Sequence, residues 1–428
     1  MIEICMSNLN EQILCKVTEF YLNSSRFNGI PLGGLLRSLN IPDQDALAVL
    51  SQLVQDSLLS LNFGDTHPNP HIKAFSPENP EVQLKKLAQS AVQHCCVYPE
   101  PTYLESVVDR KEYEESPFTL RLALGQPQLK HAAFRLEVLE SYRNDPRYYY
   151  RHNDISGTIC LKDEYYQSQE TPESDQVLLD TFGFAYDENL NRAVASFLWY
   201  LSCLSPEHQQ IWHAKELGPE YMLHPDYYRT SIIGHFPGGI SIFQSFLYEQ
   251  RIINEMSLAM DRETLFLRQI NPDNKPREFS FLIRPTLKEF NEFVHLLDKL
   301  LSDNINSSFF KSDVPLEEEF ERPDGKVEVR RKGTLRLLEE WLRPRFSLED
   351  SAPIDEMFST FRKIRKMRQK PAHKIDENEF DQEYFRVQRK LIIEACKAVN
   401  ILRQIFALHP TAAKVEIPDY IEGKVWTY

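Results

Sequence analysis

Apolar residues recur at three- and four-residue spacing along several stretches of the chain, and each such stretch predicts an amphipathic helix. Ile13, Leu14, Val17, Phe20 and Tyr21 mark the first. A short extended piece at Ile30 to Leu32 and a second helix at Gly33 to Leu39 follow. After a turn at Asn40 to Pro42, Leu47, Leu50, Leu53 and Val54 predict a third helix capped by Asp43. Leu58 to Phe63 and Ile72 to Phe75, joined through Gly64 to Pro70, read as a hairpin. In the middle of the chain Ile155, Gly157, Ile159 and Leu161 alternate as in a strand, while Ala193 to Leu204 and Ile240 to Met256 read as buried helices.

The last third is periodic at helical spacing. Pro285 to Asp303 carries Phe290, Phe293, Leu297 and Leu300 on one stripe, and Thr334 to Leu342 is a further helix. Ile354, Met357, Phe358, Phe361 and Ile364 form another stripe; Phe380, Tyr384, Val387, Leu391, Ala395, Val399, Leu402 and Phe406 form a long one that Pro410 stops. Lys311 to Lys332, with Glu317-Glu318-Glu319 and Pro323-Asp324-Gly325, reads as an inserted loop or hairpin. The fold class expected is multidomain α+β, mostly helical: residues 1–80, a mixed α/β region 81–283, and a helical bundle 284–428 interrupted at about 306–332.

With 428 residues the chain can bury an ample core. No apolar run of about 18 residues and no basic-then-apolar start is present, so a cytoplasmic protein is expected, with no membrane partner. Its seven cysteines form no Cys-x2-Cys pair, which predicts reduced thiols and no zinc ribbon. His208 and His213 are five apart, a poor ligand spacing. No phosphate-binding Gly-x4-Gly-Lys-Ser/Thr appears, which disfavours an ATPase; no metal and no cofactor are expected. Arg147-Tyr148-Tyr149-Tyr150-Arg151-His152 interleaves bases with aromatics, as a stacking platform for single strands or as three tyrosines in a strand or packed helix flanked by surface arginines.

Charge changes the picture near the C-terminus. The formal net is −14, yet residues 331–409 hold 17 Lys or Arg against 12 Asp or Glu. Within them, Arg362 to Lys374 carries seven bases and no acid, which suggests a confined polyanion site or an acidic partner surface. Extending the stripe by four from Ile364 lands on Arg368, and a guanidinium beside buried apolar groups needs a partner or a cavity. Pro371 starts a new helix well, so Arg368 and His373 are expected to sit close together at a helix junction. The Arg-x4-His spacing alone is weak, since Arg147 to His152, Arg229 to His235 and Arg403 to His409 fall in the same range.

A helical bundle with Arg-x4-His at the junction into a long helix resembles the HEPN superfamily over roughly the last third of the chain. That resemblance implies a metal-independent endoribonuclease acting on single-stranded RNA, a regulated toxin or antiviral defence effector. Arg368 and His373 are then catalytic, and two protomers pair through the bundle as a homodimer. Arg362, Lys363, Arg365, Lys366, Lys370 and Lys374 are the expected RNA-binding residues. The chemistry is coherent: a ribose 2′-OH already lies beside the scissile phosphate, so a His that moves its proton and an Arg that holds the phosphate oxygens suffice. The other class is a non-catalytic adaptor that binds nucleic acid or protein. Residues 1–80 resemble a winged helix-turn-helix. Its third helix carries Asp43, Asp45 and Asp56 and no base, which favours a protein partner over DNA.

Overall fold

The computed structural model describes residues 9–39, 42–65, 69–73, 78–89, 94–168, 171–236, 238–323, 325–346, 351–369 and 377–427. The fold is α+β and multidomain, and its contacts divide the chain into two compact units. Met1–Arg151 with Ser156–Gly234 form the first; His152–Ile155 with His235–Tyr428 form the second. Among the described residues no helix is long and apolar enough to cross a membrane.

The first unit opens with α1 (Leu9–Asn23), β1 (Ile30–Pro31), α2 (Leu32–Leu39), α3 (Asp43–Gln55), β2 (Leu59–Phe63), α4 (Pro80–Gln89) and β3 (Cys95–Pro99). The three strands form an antiparallel sheet in the order β1-β3-β2, with Ile30 opposite Val97 and Leu61 opposite Val97 on its other side. Ile13 and Val17 of α1, Leu35 of α2 and Leu50 and Leu53 of α3 close over it as one core.

Two expectations are corrected here. The partner of β2 is not Ile72 to Phe75: residues 72 and 73 are not in a strand, and 74–77 lie outside the described residues. The partner is β3, more than thirty residues downstream, whose five residues are all buried. Such a run can fill a middle strand, and the longer connection adds little closure cost because that cost grows only logarithmically. Lys73 instead turns inward, where Nζ donates to the Gly125 carbonyl at 3.1 Å, and burial lowers its pKa. The cap of α3 falls at Pro42, so Asp43 lies in the first turn.

Helices α5 (Pro101–Val107), α6 (Pro117–Ala123), α7 (Glu140–Asn144), α8 (Asp163–Tyr166), α9 (Leu198–Leu201), α10 (Pro206–His213) and α11 (Pro225–Tyr228) surround a larger sheet. Its strands are β4 (His131–Phe134), β5 (Tyr148–His152), β6 (Ser156–Leu161), β7 (Leu178–Tyr186), β8 (Arg192–Phe197) and β9 (Met222–Leu223), ordered β4-β8-β7-β6-β5 with β9 beside β7. Ala193 to Leu204 is therefore not one helix but the end of β8 followed by the short α9. The run 193–197 is buried throughout because it lies between β4 and β7, and a short apolar run carries no period to distinguish strand from helix. β6 appears where the alternation predicts it. Gly157 in it is required: a Cβ there would stand 2.3 Å from the Phe182 ring and 2.6 Å from the Arg151 carbonyl.

A buried polar knot sits at one end of this sheet. The Tyr142 hydroxyl donates to His208 Nδ1 at 2.5 Å and accepts from Trp212 Nε1 at 3.0 Å. Burial lowers the His208 pKa, with Asp175 opposing. Because the unfolded chain protonates His208 more readily than the folded one, its contribution is whole above the ordinary imidazole value of about 6.5 and is lost as pH falls through the lowered folded value. Urea midpoints measured from pH 7 down to pH 5 are expected to fall in the native chain and to fall less steeply in His208→Gln; equal slopes would remove His208 as the cause.

The second unit contains β10 (Ile240–Ser241), α12 (Ile242–Ala259), α13 (Leu287–Leu300), the hairpin β11 (Glu317–Glu321) and β12 (Val327–Arg331), α14 (Thr334–Arg345), α15 (Ala352–Gln369), α16 (Glu383–Phe406), α17 (Asp419–Glu422) and β13 (Val425–Trp426). One continuous apolar core joins α12 to α16. The bundle thus begins before residue 284, and the boundary between units falls at 234/235. α12 buries twelve of its eighteen residues, too many for one stripe, which places it inside the bundle. There Glu249 accepts from Arg403 Nε at 2.5 Å and from Asn400 at 2.7 Å. The short β10 pairs in parallel with β13, Ile240 opposite Val425 and Ser241 opposite Trp426. Ser241 caps α12 and donates to Asp154 at 2.7 Å, which ties residues 152–155 to this unit.

Candidate functional site

The stripe of α15 packs as its spacing predicts: Ile354, Met357, Phe358, Phe361 and Ile364 are all buried. Arg368 stands one turn further on, in the last turn of the helix, and its side chain is 29% exposed. Its Nη1 donates to Asp298 Oδ2 at 2.7 Å and also to Asp303. Asp298 lies on α13 with a fully buried side chain and accepts a second bond from the Ser302 hydroxyl. The Ser302 carbonyl in turn accepts from Thr334 Oγ1 at 2.7 Å, at the start of α14. A buried carboxylate is tolerated only when it is paired and hydrogen-bonded, so Asp298 and Arg368 hold each other in place. The guanidinium is anchored through one nitrogen, and Nε and Nη2 make no hydrogen bond with a described residue. Both are of the kind that donates to a phosphate oxygen.

His373, Lys370 and Lys374 lie outside the described residues, as does Pro371. α13, the helix that anchors Arg368, carries another imidazole. His295 is exposed and stands one turn before Asp298 on α13; loss of hydration, then Lys299 and Arg368, lower its pKa, while Asp303 and Asp298 oppose. Sequence reasoning missed both His295 and its acidic neighbours. The signal was the spacing of His295, Asp298 and Lys299 at offsets of three and four, which puts them on one face of α13.

The basic run is divided rather than gathered. Arg362 pairs with Glu339 of α14. Lys363 Nζ lies 2.5 Å from Glu394 of α16. Arg368 points to α13. Arg365 and Lys366 make no ion pair with a described residue. A helix rotates about 100° per residue, so contiguous bases cannot share one face. The expected single patch over Arg362 to Lys374 is corrected to that extent: three of its five described bases are spent on carboxylates of the same chain.

The other candidates resolve as packing. In β5, Tyr148 and Tyr150 are buried, Arg147, just ahead of it, pairs with Asp145 and Asp175, and of the three tyrosines Tyr149 alone, with Arg151 4.6 Å above its ring, is partly exposed. His213 is exposed and pairs with Glu216 at 2.9 Å. Burial pushes the Cys95 and Cys96 thiols up to about 12, which leaves them inert as nucleophiles. Among the described residues no three His, Cys, Asp or Glu side chains converge to hold a metal. Comparison of the chain with family models, with curated proteins and with solved structures finds no match.

Proposed function

We propose that the chain is a metal-independent endoribonuclease acting on single-stranded RNA, with a HEPN-like bundle in its second unit. Arg368 holds the equatorial oxygens of the scissile phosphate and His373 takes or returns the 2′-OH proton. The observation that carries this reading is the posture of Arg368. It is fixed at a helix end by Asp298 and Asp303 through Nη1 alone, with its remaining donors unused by described residues and its side chain part-exposed. Two protomers pairing through the bundle supply two such residues to one cleft, and a role as a regulated toxin or antiviral effector follows from the family resemblance. In the first unit the order α1-β1-α2-α3-β2-α4-β3, with β3 between β1 and β2, supports a winged-helix reading in which α4 is inserted between the last two strands. The exposed Asp43, Asp45 and Asp56 of α3 and its end suit a protein partner better than a phosphate backbone.

The test is RNA cleavage in EDTA. Purified protein is expected to cut single-stranded RNA, to leave a 2′,3′-cyclic phosphate, and to spare a strand whose ribose at the cut is deoxy. Dependence on added metal, or cutting of the deoxy strand, would overturn the reading. A second reading, a non-catalytic adaptor, is favoured by one observation: two carboxylates oppose the Arg368 charge, and Arg362 and Lys363 are engaged within the chain. Such a protein binds RNA or a protein partner and leaves RNA whole.

A further inference from the structure

α14 and α15 border an open surface groove of about 780 Å³. Four guanidinium groups line it, those of Arg336, Arg343, Arg362 and Arg365, against two carboxylates, Glu339 and Glu340. The carboxylates are already committed. Glu339 is shared between Arg343, at 2.8 Å, and Arg362. Glu340 lies between Lys332 at 2.6 Å and Arg336 at 2.9 Å. Arg343 and Arg336 also reach outward, to Asp355 at 2.7 Å and Glu318 at 2.6 Å. Arg365 alone among the four makes no ion pair or hydrogen bond with a described residue, although it is half-buried in the groove wall.

A half-buried arginine that pairs with no described residue, in a groove whose other cations are fixed, suits an anion. Guanidinium groups match phosphate geometry and stay charged. Leu335 and Pro344 add an apolar surface, and the flat faces of the arginines accept a stacked base. We propose that this groove seats a phosphate carried by a nucleotide, with Arg365 as the anchoring cation and Arg362 and Arg343 flanking it. The proposal takes its ligand class from the RNA reading above and gives the strand a place distinct from Arg368, on the α14 side of α15.

The experiment uses the full chain and three probes: a short labelled 2′-O-methyl single-stranded RNA, AMP and inorganic phosphate, with binding read by anisotropy and by competition. Arg365→Glu is expected to raise the RNA Kd about tenfold or more and to lower the salt slope by about one. Arg365→Gln is the milder variant should Arg365→Glu melt early by circular dichroism. Lys414→Glu, which reverses an exposed charge outside the groove, is expected to change the RNA Kd by less than about twofold. Competition by AMP that is lost in Arg365→Glu identifies a nucleotide seat; loss of the RNA alone identifies a backbone phosphate, and either supports the groove. Native protein that binds none of the probes, or Arg365 variants that bind as the native chain does, would overturn it. Cleavage is measured in parallel, because a chain that binds through Arg365 and never cuts keeps the groove and sinks the nuclease.

Discussion

Arg368→Ala is expected to lose RNA cleavage by on the order of 10²-fold or more and, in the same protein, to cost about 1–3 kcal/mol of stability. The two losses have different origins. Turnover falls because the fork that holds the phosphate oxygens is gone. Stability falls because Asp298, whose side chain is fully buried, keeps the Ser302 hydroxyl as its side-chain hydrogen-bond donor among the described residues and loses its cation. The double variant Arg368→Ala with Asp298→Asn separates them: removing the stranded charge recovers most of the stability and none of the cleavage. Arg368→Lys keeps the charge without the fork and is expected to stay folded and cut slowly. His373→Ala loses about as much turnover, 10²-fold or more, with RNA binding close to native. If Arg368→Ala is unstable yet cuts at the native rate, the Asp298 pair is a strut and the adaptor reading stands in its place.

The largest effect on stability alone is expected at Arg403. Its side chain and that of Glu249 are 7% and 3% exposed, and they join α16 to α12. Arg403→Met leaves Glu249 buried with only Asn400 donating to it, and this costs about 3–5 kcal/mol. Replacing both partners by methionine is expected to be nearly neutral or mildly stabilising, because two desolvation penalties disappear with the attraction. Urea denaturation followed by tryptophan fluorescence and circular dichroism measures both. A double variant no more stable than Arg403→Met would show that the pair contributes net attraction here.

Helices α13, α14, α15 and α16 were legible because each buries one stripe, although Phe380, read as the first residue of the last stripe, lies ahead of α16 and is exposed. That Arg368 needs a partner was legible from its place on the stripe. Its partners were not legible, since Asp298 and Asp303 precede it by 70 and 65 residues and only packing brings α13 beside α15. β3 was missed for a like reason: Cys95 to Pro99 is buried on both faces and so shows no alternation. The basic run misled because charge was counted along the chain, whereas neighbours on a helix are three and four apart and Arg362, Lys363 and Arg368 each meet a different helix.

The parallel pairing of β10 with β13 sets a clock on biosynthesis. Ile240 and Ser241 wait for Val425 and Trp426, and α12, which follows them, waits for α16 to cover its buried face. At the usual elongation rate of about 5–20 residues per second, that gap takes roughly 10–40 s to translate. Phe243 and Phe246 can meet Phe279 and Phe293 part-way through it, but the face of α12 that α16 covers stays open until α16 is made, while the first unit already has every strand it needs. Nascent chains of this protein therefore pass through a stage in which one half is native and the other presents a sticky helix, a natural client for holdase chaperones. Slowing translation beyond residue 260 should lengthen that stage, and the yield of soluble protein should fall with it.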